Sequence, residues 1–257
     1  MDTRFWGPSG WRLLHIITFS YIPHTDKESV RAMFNALPFV LPCKFCRSSL
    51  QEYMESDLLE PALESRELLT RWLWRIHNAV NAKLRSQNVA VESDPPFEKV
   101  ARFYKGLLAS GCSRTEFPGW DFLFSVAELH PLSKAAKVSI PMPGISCDVL
   151  STPEEKNKGN CLKPEERMEY YRIFWNTVGR SLPFKEWRQS WARTAPTLFS
   201  RKATLRWLWK VRCRMENDLE LLNKCKYSSL CKTLKNHRSG CSRSVRARTC
   251  RKNRSIK

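Results

Sequence analysis

Apolar residues recur at helical spacing along most of the chain. After Pro8, positions Trp11, Leu14, His15, Thr18 and Phe19 fall on one face, and the pattern ends near Ile22-Pro23, where proline disfavours a helical residue before it. A second helix is expected over about residues 27–37, and Pro38 and Pro42 then break the chain just before Cys43. Leu50, Tyr53 and Met54 predict a third helix that opens at the Cys43-x-x-Cys46 pair. The clearest pattern covers 65–86, opened by Ser65 and carrying Leu68, Leu69, Trp72, Trp74, Ile76, Val80 and Leu84. Asn88 to Pro96 reads as a linker, and a short fifth helix is expected over about 97–109. With no stretch of period two, the fold expected for the first half is all-α: a four-helix bundle plus a short fifth helix.

The second half carries a faint copy of the first. Leu41-Pro-Cys-Lys-Phe-Cys-Arg-Ser-Ser-Leu50 aligns with Leu182-Pro-Phe-Lys-Glu-Trp-Arg-Gln-Ser-Trp191, so Phe184 and Trp187 stand where the cysteines were. Gly10-Trp11 matches Gly119-Trp120, and Arg71-Trp-Leu-Trp-Arg-Ile76 matches Arg206-Trp-Leu-Trp-Lys-Val211, in the same order. Three ordered matches suggest a degenerate duplication, although chance likeness between aromatic-rich amphipathic helices gives similar patterns. The expected division is a first domain over 1–110, a second helical domain over 111–225 and a basic tail over 226–257. Residues 139–164, rich in Pro, Ser, Lys and Gly, read as an inserted loop, and past about 226 the periodicity is lost, so the tail is expected to be flexible.

Composition sharpens this picture in three places. A chain of 257 residues with 42% hydrophobic content, 10 Trp and only 9 Gly is globular and inclined to helix. His15, Ser20, Pro38 and Pro42 interrupt every apolar run before the roughly 18–20 residues that would span a bilayer. The N-terminus has no basic segment leading into an apolar one, so a soluble protein without a cleaved secretory signal is expected. The charge of +19 is concentrated: residues 201–257 hold 18 Lys or Arg against 3 Asp or Glu. Such a segment suits nucleic acid, an anionic surface or an acidic partner, and serves equally as a solvated solubility tail.

Ten cysteines are many for a chain of this size, yet only Cys43 and Cys46 lie within three residues of each other. A Cys-x-x-Cys pair that opens a helix has its thiolate stabilised by the helix's unpaired N–H groups and dipole. The same motif serves as half of a zinc site or in thioredoxin-like proteins. No second nearby pair completes a zinc site here, and no βαβ pattern accompanies it. Further on, Trp72-Leu-Trp-Arg-Ile-His77-Asn78-Ala-Val80-Asn81-Ala-Lys83-Leu84 sets an imidazole, an amide and an indole on one helical face, which can stack on and hydrogen-bond a planar heterocycle. Taken singly, each of these residues is equally an ordinary exposed helix position.

Together, Gly7-x-x-x-Trp11-x-x-x-His15, Pro42-Cys43-x-x-Cys46 and Trp72-x-x-x-x-His77-Asn78-x-Val80-Asn81-x-Lys83-Leu84 closely resemble the Erv/ALR family of FAD-linked sulfhydryl oxidases. The resemblance covers about residues 5–108 and implies a bundle that binds FAD non-covalently, commonly as a homodimer. It implies protein thiols as substrates, dioxygen as acceptor and hydrogen peroxide as product. Carried over by position, Trp11, His15 and Tyr21 would contact the flavin or its adenosine part. His77, Asn78, Asn81 and Lys83 would line the adenine and ribose-phosphate side, with Gly7, Trp74, Val80 and Leu84 completing the cofactor site. Cys46 would face the flavin ring, and Cys43 would exchange with incoming thiols.

Two departures from that pattern stand out. Trp74 occupies a position where many members have a cysteine, so the usual structural disulfide is lost and packing must pin the fifth helix. The appended half lacks a dithiol and is similar to the inactive module of quiescin-type oxidases. The family also implies a shuttle pair, for which Cys225 and Cys231, then Cys241 and Cys250, are candidates. Cys225, Cys231, His237 and Cys241 form the competing zinc set, at a spacing that matches no common finger, so no metal site is expected. Cys112, Cys147, Cys161 and Cys213 have no partner readable from the sequence. The extra C-terminal half looks most like forms from large DNA viruses, which implies host cytoplasm or virion, with the mitochondrial intermembrane space as the alternative. A reading of another class, a nucleic-acid-binding protein whose tail folds on zinc, rests on the charged segment alone.

Overall fold

The computed structural model describes residues 1–89, 91–133 and 162–238. Among them are eleven helices and no strand, as the period-3.6 patterning predicts. Helix α1 (Thr3–Ser20) begins ahead of the expected Pro8, because the Asp2 carboxylate accepts a hydrogen bond from Arg4 N at 3.0 Å and caps it. Helix α2 (Pro23–Val40) is longer than the pattern suggests at both ends. Pro23 presets its first turn, Ile22 N donates to the Asp26 carboxylate at 3.0 Å, and the helix runs through Pro38.

Cys43 caps α3 (Lys44–Ser56), and the single turn α4 (Leu59–Ala62) is too short to leave a periodic signal. Ser65 Oγ accepts from Leu68 N at 3.1 Å and starts α5 (Arg66–Ser86), followed by α6 (Phe97–Ala109). Trp74 of α5 holds α6 in place. Its indole donates to Pro95 O at 3.0 Å and meets the Phe97 ring edge-on, while Arg71 covers the same ring at 4.1 Å.

The C-terminal half contributes α7 (Trp120–Glu128), α8 (Pro164–Val178), α9 (Lys185–Ala192), α10 (Arg201–Asp218) and α11 (Tyr227–Asn236). Helix α11 corrects the expectation of a tail without structure from residue 226. Leu230 and Leu234, one turn apart, are buried, and Asp2 N donates to His237 O at 3.0 Å. Two apolar residues in ten are too faint a stripe to read from the sequence. Most of the expected 139–164 loop, with Cys147 and Cys161, lies outside the described residues, as do Cys241 and Cys250.

Helix α1 packs on α5, α6 and α7, and α2 packs on α3 and, along its length, on α8. One continuous core therefore joins residues as distant as Phe34, Trp72, Phe122, Trp175 and Trp207. At the α1–α7 crossing the backbones approach closely. A Cβ on Gly119 would lie 2.9 Å from Leu13, and one on Gly10 would lie 3.2 Å from Phe122.

These contacts pair like with like. Ser200 caps α10 through Ala203 N as Ser65 caps α5. The Trp207 indole donates to Thr194 O at 2.9 Å as Trp72 donates to Asp57 O at 2.8 Å. Trp175 meets Trp207 edge-on at 5.2 Å as Phe34 meets Trp72 at 5.1 Å. Arg188 donates to Leu182 O as Arg47 donates to Leu41 O. The two halves thus repeat one helical frame, and meet through α1 against α7 and α2 against α8.

Candidate functional site

Pro42 ends the extended link after α2, so Cys43 enters with φ −154° and ψ 124° and caps α3 while Cys46 lies in the first turn. Cys43 Sγ accepts from Cys46 N at 3.4 Å. The Cys46 thiol as donor, the backbone N–H groups of Cys46 and Phe45, and the Arg47 guanidinium together outweigh burial and draw the Cys43 thiol down to about 6. Arg47 is itself buried and donates to Leu41 O at 2.9 Å; burial lowers its pKa while the two sulfurs pull it back. No disulfide joins the two cysteines.

A cavity of about 870 Å³ opens beside Cys46, within the size range of a cofactor site. One wall is a stacked pair: the Trp11 indole lies 4.0 Å from the His77 imidazole with 12° between the planes. Behind it, His15 Nε2 and His77 Nδ1 are 3.1 Å apart, and Tyr104 stacks on His15 at 4.8 Å. Burial takes His15 down to about 3 and His77 to about 4, so both rings are neutral at pH 7 and one donates to the other. His15 Nδ1 makes no hydrogen bond among the described residues. Also at the cavity, Lys83 Nζ donates to Ser49 Oγ, one turn along α3 from Cys46, at 2.5 Å, and Asn81 Nδ2 donates to Asp94 Oδ1 at 2.8 Å. The site therefore offers a ring-stacking wall, a thiol, and a cation beside amide and hydroxyl groups.

The structure brings together many of the residues singled out from the sequence. Gly7, Trp11, Cys46 and His77 line the cavity, and so do Val80, Asn81, Lys83 and Leu84 from α5. Five others sit apart from its lining. Cys43 is behind Cys46, and His15 supports His77 from within the bundle. Tyr21 is a core residue whose hydroxyl donates to Leu63 O at 2.8 Å. Trp74 holds α6, and Asn78 is half-buried on α5. Sequence reasoning missed Ser49, Tyr53 and the α7 end of the cavity, where Phe117, Trp120 and Arg212 enter the lining from the other half. No motif marks residues that reach a site from a separate stretch of chain.

Comparison with known proteins agrees with this geometry. The Erv1/Alr family profile matches residues 8–101, the stretch that carries the cysteine pair and the α5 face. The chain carries an Erv1/Alr family domain. It is 36% identical over 87 residues to the mitochondrial FAD-linked sulfhydryl oxidase of Saccharomyces cerevisiae, a match covering 33% of this chain and 45% of the yeast protein. A protein of Acanthamoeba polyphaga mimivirus named "Probable FAD-linked sulfhydryl oxidase" is 35% identical over 85 residues, covering 32% of this chain and 59% of its own length. Sulfhydryl oxidase 1 of Mus musculus is 28% identical over 123 residues, 43% of this chain and 16% of that protein. The chain spans about half the length of the yeast and mimivirus relatives. No solved structure matches.

Outside the Erv1/Alr domain the equivalent site is filled. Trp187, in the place of Cys46, packs against Phe117 at 5.0 Å, and Trp191 lies parallel to Trp120 at 6.5 Å. Gly179 makes room for this, since a Cβ there would fall 2.1 Å from the Trp191 ring. Arg212 and Glu216, in the places of His77 and Asn81, form a buried ion pair at 2.6 Å, with Arg212 over Trp120 at 5.6 Å. Of the remaining thiols, Cys112 is buried and pushed up to about 11 by that burial, and Cys225 and Cys231 flank the start of α11 as free cysteines. Among the described residues no three His, Cys, Asp or Glu side chains gather as metal ligands, and Cys241 of the zinc alternative lies outside them. No helix among them is long and apolar enough to cross a membrane.

Proposed function

We propose that this chain is an FAD-dependent sulfhydryl oxidase that converts two thiols and dioxygen into a disulfide and hydrogen peroxide. The observation that carries the reading is the division of labour at the pair: Cys46 faces the cavity while Cys43, behind it at the helix N-terminus, is the stabilised thiolate. FAD suits the residues present. The Trp11–His77 wall can stack a ring, Lys83 can meet diphosphate charge, and the unpaired Nδ1 of His15 keeps a polar atom inside the bundle beneath that wall. When bound, the flavin supplies a two-electron acceptor that hands the pair on to dioxygen.

The chain's own residues account for the thiol chemistry. A substrate thiolate attacks Cys43 of the oxidised pair, forming a substrate–Cys43 disulfide and breaking the Cys43–Cys46 bond, with Cys46 leaving as a thiolate. A second substrate thiolate attacks the substrate sulfur of that mixed disulfide, and Cys43 departs readily because the Cys46 thiol, the α3 N–H groups and Arg47 stabilise it. The Cys46 sulfur, in the cavity wall, is placed to give up the electron pair as the Cys43–Cys46 bond re-forms. Cys225 and Cys231 are the proposed relay thiols for bulky substrates. A homodimer, where formed, uses faces other than those of α1 and α2 that α7 and α8 already cover. Nucleic acid or an acidic partner for the basic C-terminal segment is a separate proposal, which steeply salt-dependent binding would support.

Purified protein is expected to be yellow and to consume oxygen with dithiothreitol. Cys46→Ser is expected to keep the flavin and lose turnover. A folded, colourless protein that cannot be reconstituted with FAD overturns the proposal.

A further inference from the structure

The internal repeat sets two solvent-facing helix surfaces side by side. On α5 the arginines are neutralised: Arg71 pairs with Glu67 at 3.1 Å, and Arg75 with Asp57 at 2.7 Å. The matching serine caps, Ser65 and Ser200, put Lys202, Arg206 and Lys210 of α10 in the places of Glu67, Arg71 and Arg75. Asp57 has its counterpart in Thr194, since the carbonyls of these two residues accept the matching Trp72 and Trp207 indoles. Both carboxylates are thus gone, and Arg214 stands where α5 has Ala79. Lys202, Arg206, Lys210 and Arg214 are all exposed, and none forms an ion pair with a carboxylate among the described residues. Of the two acids on α10, Glu216 is buried in its pair with Arg212, and Asp218 pairs with Arg193 at 3.2 Å.

Four cations at successive i, i+4 positions make a ladder with roughly 6 Å between rungs and about 18 Å from end to end. Like charges at that spacing repel and weaken a helix, a cost that an external anion relieves. Beside the ladder lies an open hollow of about 600 Å³, lined by Arg193, Thr194, Trp209, Lys210, Arg214 and Asn217. Trp209 is half-buried there, its ring 5.3 Å from that of Tyr227, and Lys224 adds a further cation by donating to Asn217 Oδ1 at 3.1 Å. The residues outside those described carry no acidic surplus to offset this charge: 134–161 hold 4 Lys or Arg against 3 Asp or Glu, and 239–257 hold 7 against none.

We propose that this face of α10 binds single-stranded nucleic acid, with backbone phosphates along Lys202, Arg206, Lys210 and Arg214 and a base entering the hollow against Trp209. A regular row of cations next to an aromatic ring suits a repeating phosphate backbone and the stacking of its bases. An acidic protein segment matches the charge but brings no base to stack in the Trp209 hollow.

The inference deepens, and rests on, the nucleic-acid reading of the basic C-terminal segment, and it is independent of the redox chemistry. The test follows binding of the full-length protein to a fluorescein-labelled thymidine oligonucleotide by fluorescence anisotropy at several salt concentrations. Changing Lys202→Gln and Lys210→Gln together is expected to weaken binding and to reduce the slope of log K against log salt by about 1.4, roughly 0.7 per cation. Trp209→Leu is expected to weaken binding about tenfold while leaving that slope close to wild type. Lys99→Gln with Lys105→Gln, an equal loss of charge from the exposed face of α6, is expected to change neither. Affinity unchanged in the α10 double variant or in Trp209→Leu overturns the proposal, and so does an equal loss in the α6 variant, which would make net charge alone responsible. Polyglutamate that displaces the labelled strand as well as unlabelled oligonucleotide does at equal charge also overturns it, in favour of an acidic protein partner. Binding that survives intact in the α10 variant refutes this face and leaves the broader reading standing, whereas wild-type protein without salt-dependent binding refutes both.

Discussion

The two halves share a helical frame and differ in what fills its centre. In the first, Cys46 and Leu50 stand where the second has Trp187 and Trp191, and border a cavity of about 870 Å³ also walled by Trp11 and His77. In the second, Trp187 and Trp191 occupy the equivalent space and the Arg212–Glu216 pair closes the helix face that His77 and Asn81 leave open. The frame is set by contacts common to both, such as the Trp72 and Trp207 indole bonds to backbone carbonyls. Function is therefore decided by a few positions whose identity the frame does not require. The filled half still bears on the open one, by covering α1 and α2.

Several changes would break or sharpen this contrast. The largest effect is expected from moving the chemistry. Placing cysteines at Phe184 and Trp187 while changing Cys43 and Cys46 to Ser should leave oxygen consumption at the rate of free flavin, because Trp191 and the Arg212–Glu216 pair still occupy the ring site beside the new pair. Turnover in that variant would show that the filled site can open. Next in size is Trp187→Ala, which should destabilise the fold by about 3–5 kcal/mol through the cavity it leaves. Trp11→Ala, at a partly exposed cavity wall, should instead weaken flavin retention with a smaller change in chemical denaturation midpoint.

Between the halves, the buried Asp26 pairs with Arg188. Asp26→Asn leaves Arg188 without its carboxylate and should cost about 3 kcal/mol or less, given that Arg188 is 30% exposed. That loss should appear in urea unfolding. The last contrast concerns pH. The folded protein keeps His15 and His77 neutral, at about 3 and 4, so below the ordinary imidazole value near 6.5 the unfolded chain binds more protons than the folded one. Stability should fall as pH drops from about 6.5 towards 4, and His15→Gln should flatten that slope in thermal melts. A slope identical to wild type would place the acid sensitivity elsewhere.

The helices were legible where periodicity was long. Ser65 and the apolar stripe behind it define α5 almost to the residue, and the cysteine pair marks the start of α3. Short or weakly striped segments, α4 and α11, were not, since one or two apolar residues carry no period. Within the site, the residues in the His77–Leu84 run were readable because one helix presents them together. Tyr21, expected near the cofactor, proved to be a core residue bonded to Leu63 O, which spacing along α1 could not distinguish from a cavity position.

By itself the sequence determined the all-α class, the Cys43-x-x-Cys46 pair with its helix-capping position, and the Phe184 and Trp187 that stand at the matching positions of the second half, because each depends on residue identity and local spacing. Only the tertiary structure decided that the halves meet helix to matching helix, that Trp187 and Trp191 fill the second site, and that Arg188 of the second half pairs with the buried Asp26 of the first. Those facts depend on contacts between residues more than a hundred positions apart, and on which side chains share a buried space, for which a linear pattern holds no record.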